Sequence, residues 1–240
     1  MPSKPQHKIY KETDMYEPIR ALLQAEGFTV RGEVKSCDVA AVRGDDLWVV
    51  EMKLSLSLKL LYQAVDRQVA TGYVFVALPK PKKRDKNFNQ FAKLLKKLKL
   101  GLMVVSMAEQ TADIVFYPDG KANKANVKTR RIKKELEGRR FDTKGGAQTN
   151  QNTAYRERST NVLCLVETYG PITAARLRKT FDAPQDTYNI LSNNYNQWFE
   201  KIDKGVYALS EHGRAYLHEH QEDRLVQYHR EKILSHNVLD

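Results

Sequence analysis

Cysteine is scarce in this chain: Cys37 and Cys164 are the two among 240 residues. Thiols so few and so far apart make neither a disulfide framework nor a zinc-ligand spacing, and both are expected to pack as small apolar side chains. Long apolar runs are missing too. None approaches the length that spans a bilayer, so no membrane partner is expected. The opening Met-Pro-Ser-Lys-Pro-Gln-His-Lys is charged but leads into no apolar signal core, which makes a cytoplasmic protein the expectation. There is no glycine-rich phosphate loop and no internal repeat. His212, His218 and His220 have no metal partners at a useful spacing, so histidine catalysis finds no support.

Positive charge, by contrast, is plentiful. Forty Lys and Arg face 29 Asp and Glu, a formal net charge of +11. That excess suits a polyanionic partner, and nucleic acid is the first candidate. With 41% hydrophobic residues the chain can still bury a core, as one large domain or two small ones.

The most informative stretch runs from Asp38 to Lys53. Two Val-rich apolar runs flank Gly44-Asp45, the pattern of a β-hairpin. With those two residues as the loop, Arg43 faces Asp46, Ala41 faces Trp48 and Asp38 faces Glu51. Opposed residues share a face with Cβ atoms about 4.5–5.5 Å apart. Lys53, two residues beyond Glu51, points the same way. Charges are unexpected after Leu47-Trp48-Val49-Val50. Two close carboxylates repel and need a compensating cation, and a hard divalent ion such as Mg²⁺ is the natural choice.

Around this hairpin the sequence predicts a helix over Asp14 to Glu26, closed by Gly27, and a strand over Phe28 to Val34. A helix opened by Ser57, a buried strand over Tyr73 to Leu78, a helix over Asn87 to Leu98 and strands over Leu102 to Ser106 and Ala112 to Tyr117 follow. The order describes an α/β fold with a mixed sheet flanked by helices. From 119 to 158 periodicity fades, basic residues cluster in Lys121 to Arg140, and Gly145-Gly146 with the polar run Gln148 to Thr153 suggests a basic, flexible linker. Within it Thr129 to Gly138 has the makings of a short helix. Residues 159–240 read as three helices and a hairpin around Lys204-Gly205, a winged helix-turn-helix, closed by a polar helix from Glu211 to about Leu234. That last helix either extends the domain or pairs with a second copy. In the third helix region Tyr188, Ile190, Leu191, Tyr195 and Trp198 are candidate core residues. Gln185, Asn189 and Asn193 are candidates for contacts to bases or phosphates. Protein contacts or dimerisation are the other use of such a helix.

Asp38 followed by an apolar strand carrying Glu51-Met52-Lys53 resembles the PD-(D/E)XK nuclease superfamily, over about residues 10 to 117. It is nearest to a bacterial phosphodiesterase branch. Cys37 stands where the motif's proline would be. The resemblance implies a restriction-endonuclease-like αβββαβ core over residues 1–118, with Asp38, Glu51, Lys53 and Gln63 catalytic. It further implies Mg²⁺ or Mn²⁺ held by Asp38, Glu51 and the Met52 carbonyl, with Glu17 on the preceding helix as an additional acid. Arg67, one turn past Gln63, becomes a phosphate contact, as do Lys80, Lys82, Lys83 and Arg84 in the loop after the buried strand. A solvated helix face and a solvated charge run are the plainer readings of those residues. The expected function is a metal-dependent DNA nuclease targeted by its winged helix. A non-catalytic DNA-binding regulator with a nuclease-like scaffold is the alternative, and an RNA-processing enzyme is a third. A homodimer, or two sequential nicks, would be needed for double-strand cleavage.

Overall fold

Two tight turns organise the first strands. In the computed structural model, which describes residues 10–83, 85–120, 126–139, 142 and 153–236, β1 (Thr29–Val34) turns at Lys35-Ser36 into β2 (Cys37–Arg43). Both turn residues have positive φ, 49° and 71°, as a two-residue type I′ hairpin requires. Gly44, at φ +57°, then turns β2 into β3 (Asp46–Met52). The β2–β3 register pairs Arg43 with Asp46, Ala41 with Trp48 and Val39 with Val50, as the turn position predicts.

β4 (Tyr73–Pro79) and β5 (Gly101–Ser106) continue the sheet in parallel, and β6 (Thr111–Phe116) closes it antiparallel, in the order β1-β2-β3-β4-β5-β6. Parallel neighbours need a crossover. α2 (Leu58–Arg67), capped by Ser57, links β3 to β4; α3 (Lys86–Lys97), capped by Asp85, links β4 to β5. Leu60 and Ala64 of α2 and Leu95 of α3 pack with Ala40, Val49 and Val76 on one face. The other face, with Val50, Phe75 and Met103, is covered by Met15, Ile19 and Leu23. Those come from a 3₁₀ turn, Glu12–Met15, and α1 (Tyr16–Ala25), which Gly27 ends at φ +82°.

The linker expected over 119–158 is interrupted by α4 (Val127–Glu137). Although α4 carries five basic residues, Ile132 and Leu136 are buried with the α2–α3 face of the sheet. Two such side chains contribute about 1.5–3 kcal/mol each, enough to seat a polar helix. Arg139, 3% exposed, then donates to the Gly32 and Glu33 carbonyls and to Glu135. Asp142 accepts from the Gly32 N–H and the Tyr16 hydroxyl. Gly145-Gly146 and most of the polar run lie outside the described residues.

The chain divides into two compact units, Met1–Asn152 and Thr153–Asp240. In the second, Thr153 caps α5 (Ala154–Tyr169) and Thr173, at the end of β7 (Ile172–Thr173), caps α6 (Ala174–Thr180). α7 (Thr187–Asn193) precedes β8 (Phe199–Asp203) and β9 (Val206–Leu209), and the small antiparallel sheet has the order β7-β9-β8. Leu163, Leu177, Ile190, Leu191 and Trp198 form its core. Tyr188 and Tyr195 do not join it: they are 59% and 73% exposed. The single closing helix is instead two, α8 (Glu211–Glu219) and α9 (Arg224–His236). Asp223 restarts the chain by accepting the Leu225 N–H at 2.8 Å while binding Arg156 at 2.8 Å.

Candidate active site

Side-chain alternation fixes which face each acid takes. Glu51 has the parity of Val49 and therefore points toward α2, where it is fully buried. Its Oε1 accepts the Arg67 Nε–H at 2.7 Å, and its Oε2 is buried without any partner. Asp38, at the neighbouring end of β2, accepts the Met52 N–H on Oδ2 at 2.8 Å. Burial, then the charge of Asp38, raises the Glu51 carboxyl to about 7, with Arg67 opposing both. Burial also raises Asp38, against the Met52 N–H and the nearby Lys53. Lys53, just past β3, donates to Glu12 at 2.6 Å. Gln63 sits on α2 with its Oε1 buried and unpartnered. Asp38, Glu51, Lys53 and the Met52 backbone thus gather at one end of β2 and β3.

Two expected members behave differently. Glu17 pairs outward with Arg20 at 3.2 Å, its side chain 51% exposed, and takes no part in the cluster. The acid that the α1 end supplies is Glu12, in the 3₁₀ turn. No periodic signal marks it, since it precedes the helix. Arg67 is engaged within the fold: besides Glu51, it donates to the Ser36 carbonyl at 2.6 Å and Asp66 at 3.1 Å. Its guanidinium compensates the buried acid.

Among the described residues no group of three or more His, Cys, Asp or Glu forms a metal-binding cluster. The chemistry of the donors still suits a hard ion. Asp38, Glu51 Oε2 and the Met52 carbonyl are all oxygens, and Mg²⁺ characteristically keeps several waters and takes only one or two carboxylates. The unpartnered Oε2 is the atom such an ion would satisfy. Cys37 and Cys164 are buried, and burial pushes their thiols up to about 12, the environment of structural cysteines.

Of the expected nucleic-acid contacts, Lys82 and Lys83 are exposed, Lys80 pairs with Asp113 at 3.1 Å, and Arg84 lies outside the described residues. Gln185, Asn189 and Asn193 are exposed on or beside α7. Basic excess is confined to the first unit: residues 1–152 hold 29 Lys and Arg against 17 Asp and Glu, residues 153–240 hold 11 against 12. A cavity of about 580 Å³ in the second unit contains Arg214 and Arg230, but Arg230 is already paired with Glu167 at 2.6 Å and no acid pair lies there. No helix among the described residues is long and apolar enough to cross a membrane.

The mixed six-stranded sheet, with its carboxylate pair at one end of the β2–β3 hairpin, fits a restriction-endonuclease-like core. Residues 103–216 match a family described as "Putative PD-(D/E)XK phosphodiesterase (DUF2161)", a similarity that supports this superfamily and phosphodiester hydrolysis. The matched stretch covers β5, β6, α4 and the second unit into α8, and excludes Asp38, Glu51 and Lys53. No curated protein matches the chain, and no solved structure matches it.

Proposed function

We propose that the first unit is a metal-dependent DNA nuclease and that the second is a winged helix-turn-helix module that places it on DNA. The observation carrying this reading is Glu51, a fully buried acid beside Asp38 with one oxygen that nothing satisfies. A buried acid pair is costly, and a fold alone gains nothing from it. Asp38, Glu51 and the Met52 carbonyl would hold Mg²⁺ or Mn²⁺. When bound, the ion lowers the pKa of water and neutralises charge on the scissile phosphate. Lys53 orients the attacking water or donates to phosphate oxygens as their charge develops, and Glu12 fixes its ammonium in place. Gln63 Oε1 is free to accept a hydrogen bond from that water.

One contact favours a second reading. Arg67 already pairs with Glu51 at 2.7 Å, as in a scaffold whose charge is settled without metal. In that reading the protein is a non-catalytic DNA-binding regulator. Incubating the protein with linear and supercoiled DNA in Mg²⁺, Mn²⁺ or EDTA, beside Glu51→Ala, separates the two. The nuclease reading expects metal-dependent cutting that drops in the variant to the level seen in EDTA. DNA binding by both proteins with cutting by neither would put the regulator first. A parallel RNA substrate tests the choice of nucleic acid. Nicked as against linear product from supercoiled DNA tells sequential nicking from cleavage by paired copies.

A further inference from the structure

Arg67 also lines a cavity of about 200 Å³, between the β1–β2 turn, α2 and α4. Four cations line it: Lys35 from the turn, Arg67 from α2, and Lys128 and Arg131 from α4. Asp66 is its one acid. Ala70 and Ile132 contribute apolar surface. Arg67 is engaged with Glu51, Ser36 and Asp66, but the other three cations are weakly engaged. Lys128 is 3.8 Å from Asp66 and Lys35 is 3.8 Å from Glu135, with both lysine side chains more than half exposed. Arg131 makes no ion pair among the described residues and is exposed. Two neighbouring basic residues are occupied: Lys133 of α4 donates to the Gly44 and Asp45 carbonyls, and Arg139 just past it is tied to β1. The helix therefore fastens itself through Lys133 and leaves Lys128 and Arg131 around an open cavity.

We infer that this cavity is a phosphate subsite for the backbone of a nucleic-acid strand, adjoining the one to be cut. The inference rests on the proposed nuclease reading and adds a second point of grip. Arg67 lines the cavity and binds Glu51, so a phosphate held there sits next to the carboxylate cluster. Flexible cations around a partly apolar wall suit a phosphodiester with its sugar, and they read no sequence. The basic excess of the first unit supplies the surrounding field.

The test is binding without cutting. Anisotropy of a fluorescent DNA duplex is followed in EDTA across a NaCl series for the full chain, a Lys128→Glu/Arg131→Glu variant, and a charge-matched Lys93→Glu/Lys97→Glu control on α3. Circular dichroism checks that each variant folds. The subsite predicts an affinity loss of about tenfold or more and a salt slope smaller by about 2 for the α4 variant, with a much smaller change in the control. Unchanged binding, an equal effect in the control, or no binding by the unaltered chain overturns it. The nuclease reading is judged separately, by Glu51-dependent cutting in Mg²⁺ or Mn²⁺. If cutting persists while the α4 variant binds normally, only the subsite falls. If the variant loses affinity but nothing is ever cut, only the nuclease reading falls.

Discussion

Glu51 concentrates the physical tension of the first unit in one carboxyl. Burial raises it from 4.5 to about 7, Asp38 adds to the rise, and Arg67 opposes it. Between those two values the folded chain keeps a proton that the unfolded chain has lost. Stability from this group is therefore complete below about pH 4.5 and is lost as pH rises through about 7, on the order of 3 kcal/mol in all. Urea unfolding in EDTA should show that decline, and Glu51→Gln should flatten it. Mg²⁺ or Mn²⁺ should restore stability on the alkaline side, because an ion that binds only the folded site shifts the equilibrium toward it. Unfolding that is flat across this window in the unaltered chain would contradict the burial argument. Arg67→Ala removes the main force holding Glu51 down. The acid limb of any pH–rate profile should then move up by about 1 unit or more, with cutting weakened at neutral pH and recovered at higher pH. A variant that loses activity equally at every pH would instead give Arg67 a role in holding substrate.

Elements differ in how plainly they announce themselves. The β2–β3 hairpin was legible because a two-residue turn fixes register, and register alone brings Asp38 and Glu51 to one end of the sheet. β4 was legible as a continuous apolar run, which a central parallel strand needs. α4 was only half legible: three apolar residues in eleven, two of them buried, give little periodicity, and its anchors, Arg139 and Asp142, follow no repeat. Glu12 was missed for the same reason, since a 3₁₀ turn places it by geometry and not by helical spacing. Tyr188 and Tyr195 misled because aromatic size suggests burial, yet they flank the buried Ile190 and Leu191 without sharing their face. The break between α8 and α9 contains no Gly or Pro; Asp223 makes it by capping. Polar anchoring can be tested directly. Arg139→Leu removes the cation that satisfies two β1 carbonyls and that pairs with the buried Glu135 at 3.0 Å. It should cost about 3–5 kcal/mol in urea unfolding. A loss under about 1 kcal/mol would mean that Ile132 and Leu136 alone hold α4 to the sheet.

Across the whole molecule, charge and hydrogen-bonding capacity fall in different places. The first unit carries the entire basic excess, while the second is close to neutral and presents Gln185, Asn189 and Asn193 to solvent. Phosphate contacts release counterions and make binding salt-dependent; amide contacts to base edges do not. The second unit has its own core, built on Leu163, Leu177, Ile190 and Leu191, so residues 153–240 should fold alone and unfold in one cooperative transition. On DNA the isolated unit should show a shallow salt slope, and residues 1–152 should reproduce most of the slope of the full chain. In the full chain, replacing Gln185, Asn189 and Asn193 together with Ala should leave that slope in place while narrowing the affinity difference between duplexes of different sequence. Each bidentate amide–base pair lost is worth about 1–3 kcal/mol of discrimination. If the triple variant instead flattens the salt slope, α7 lies along the phosphates. If it changes neither slope nor discrimination, the helix does not meet DNA, and the near-neutral second unit is a platform for protein contacts.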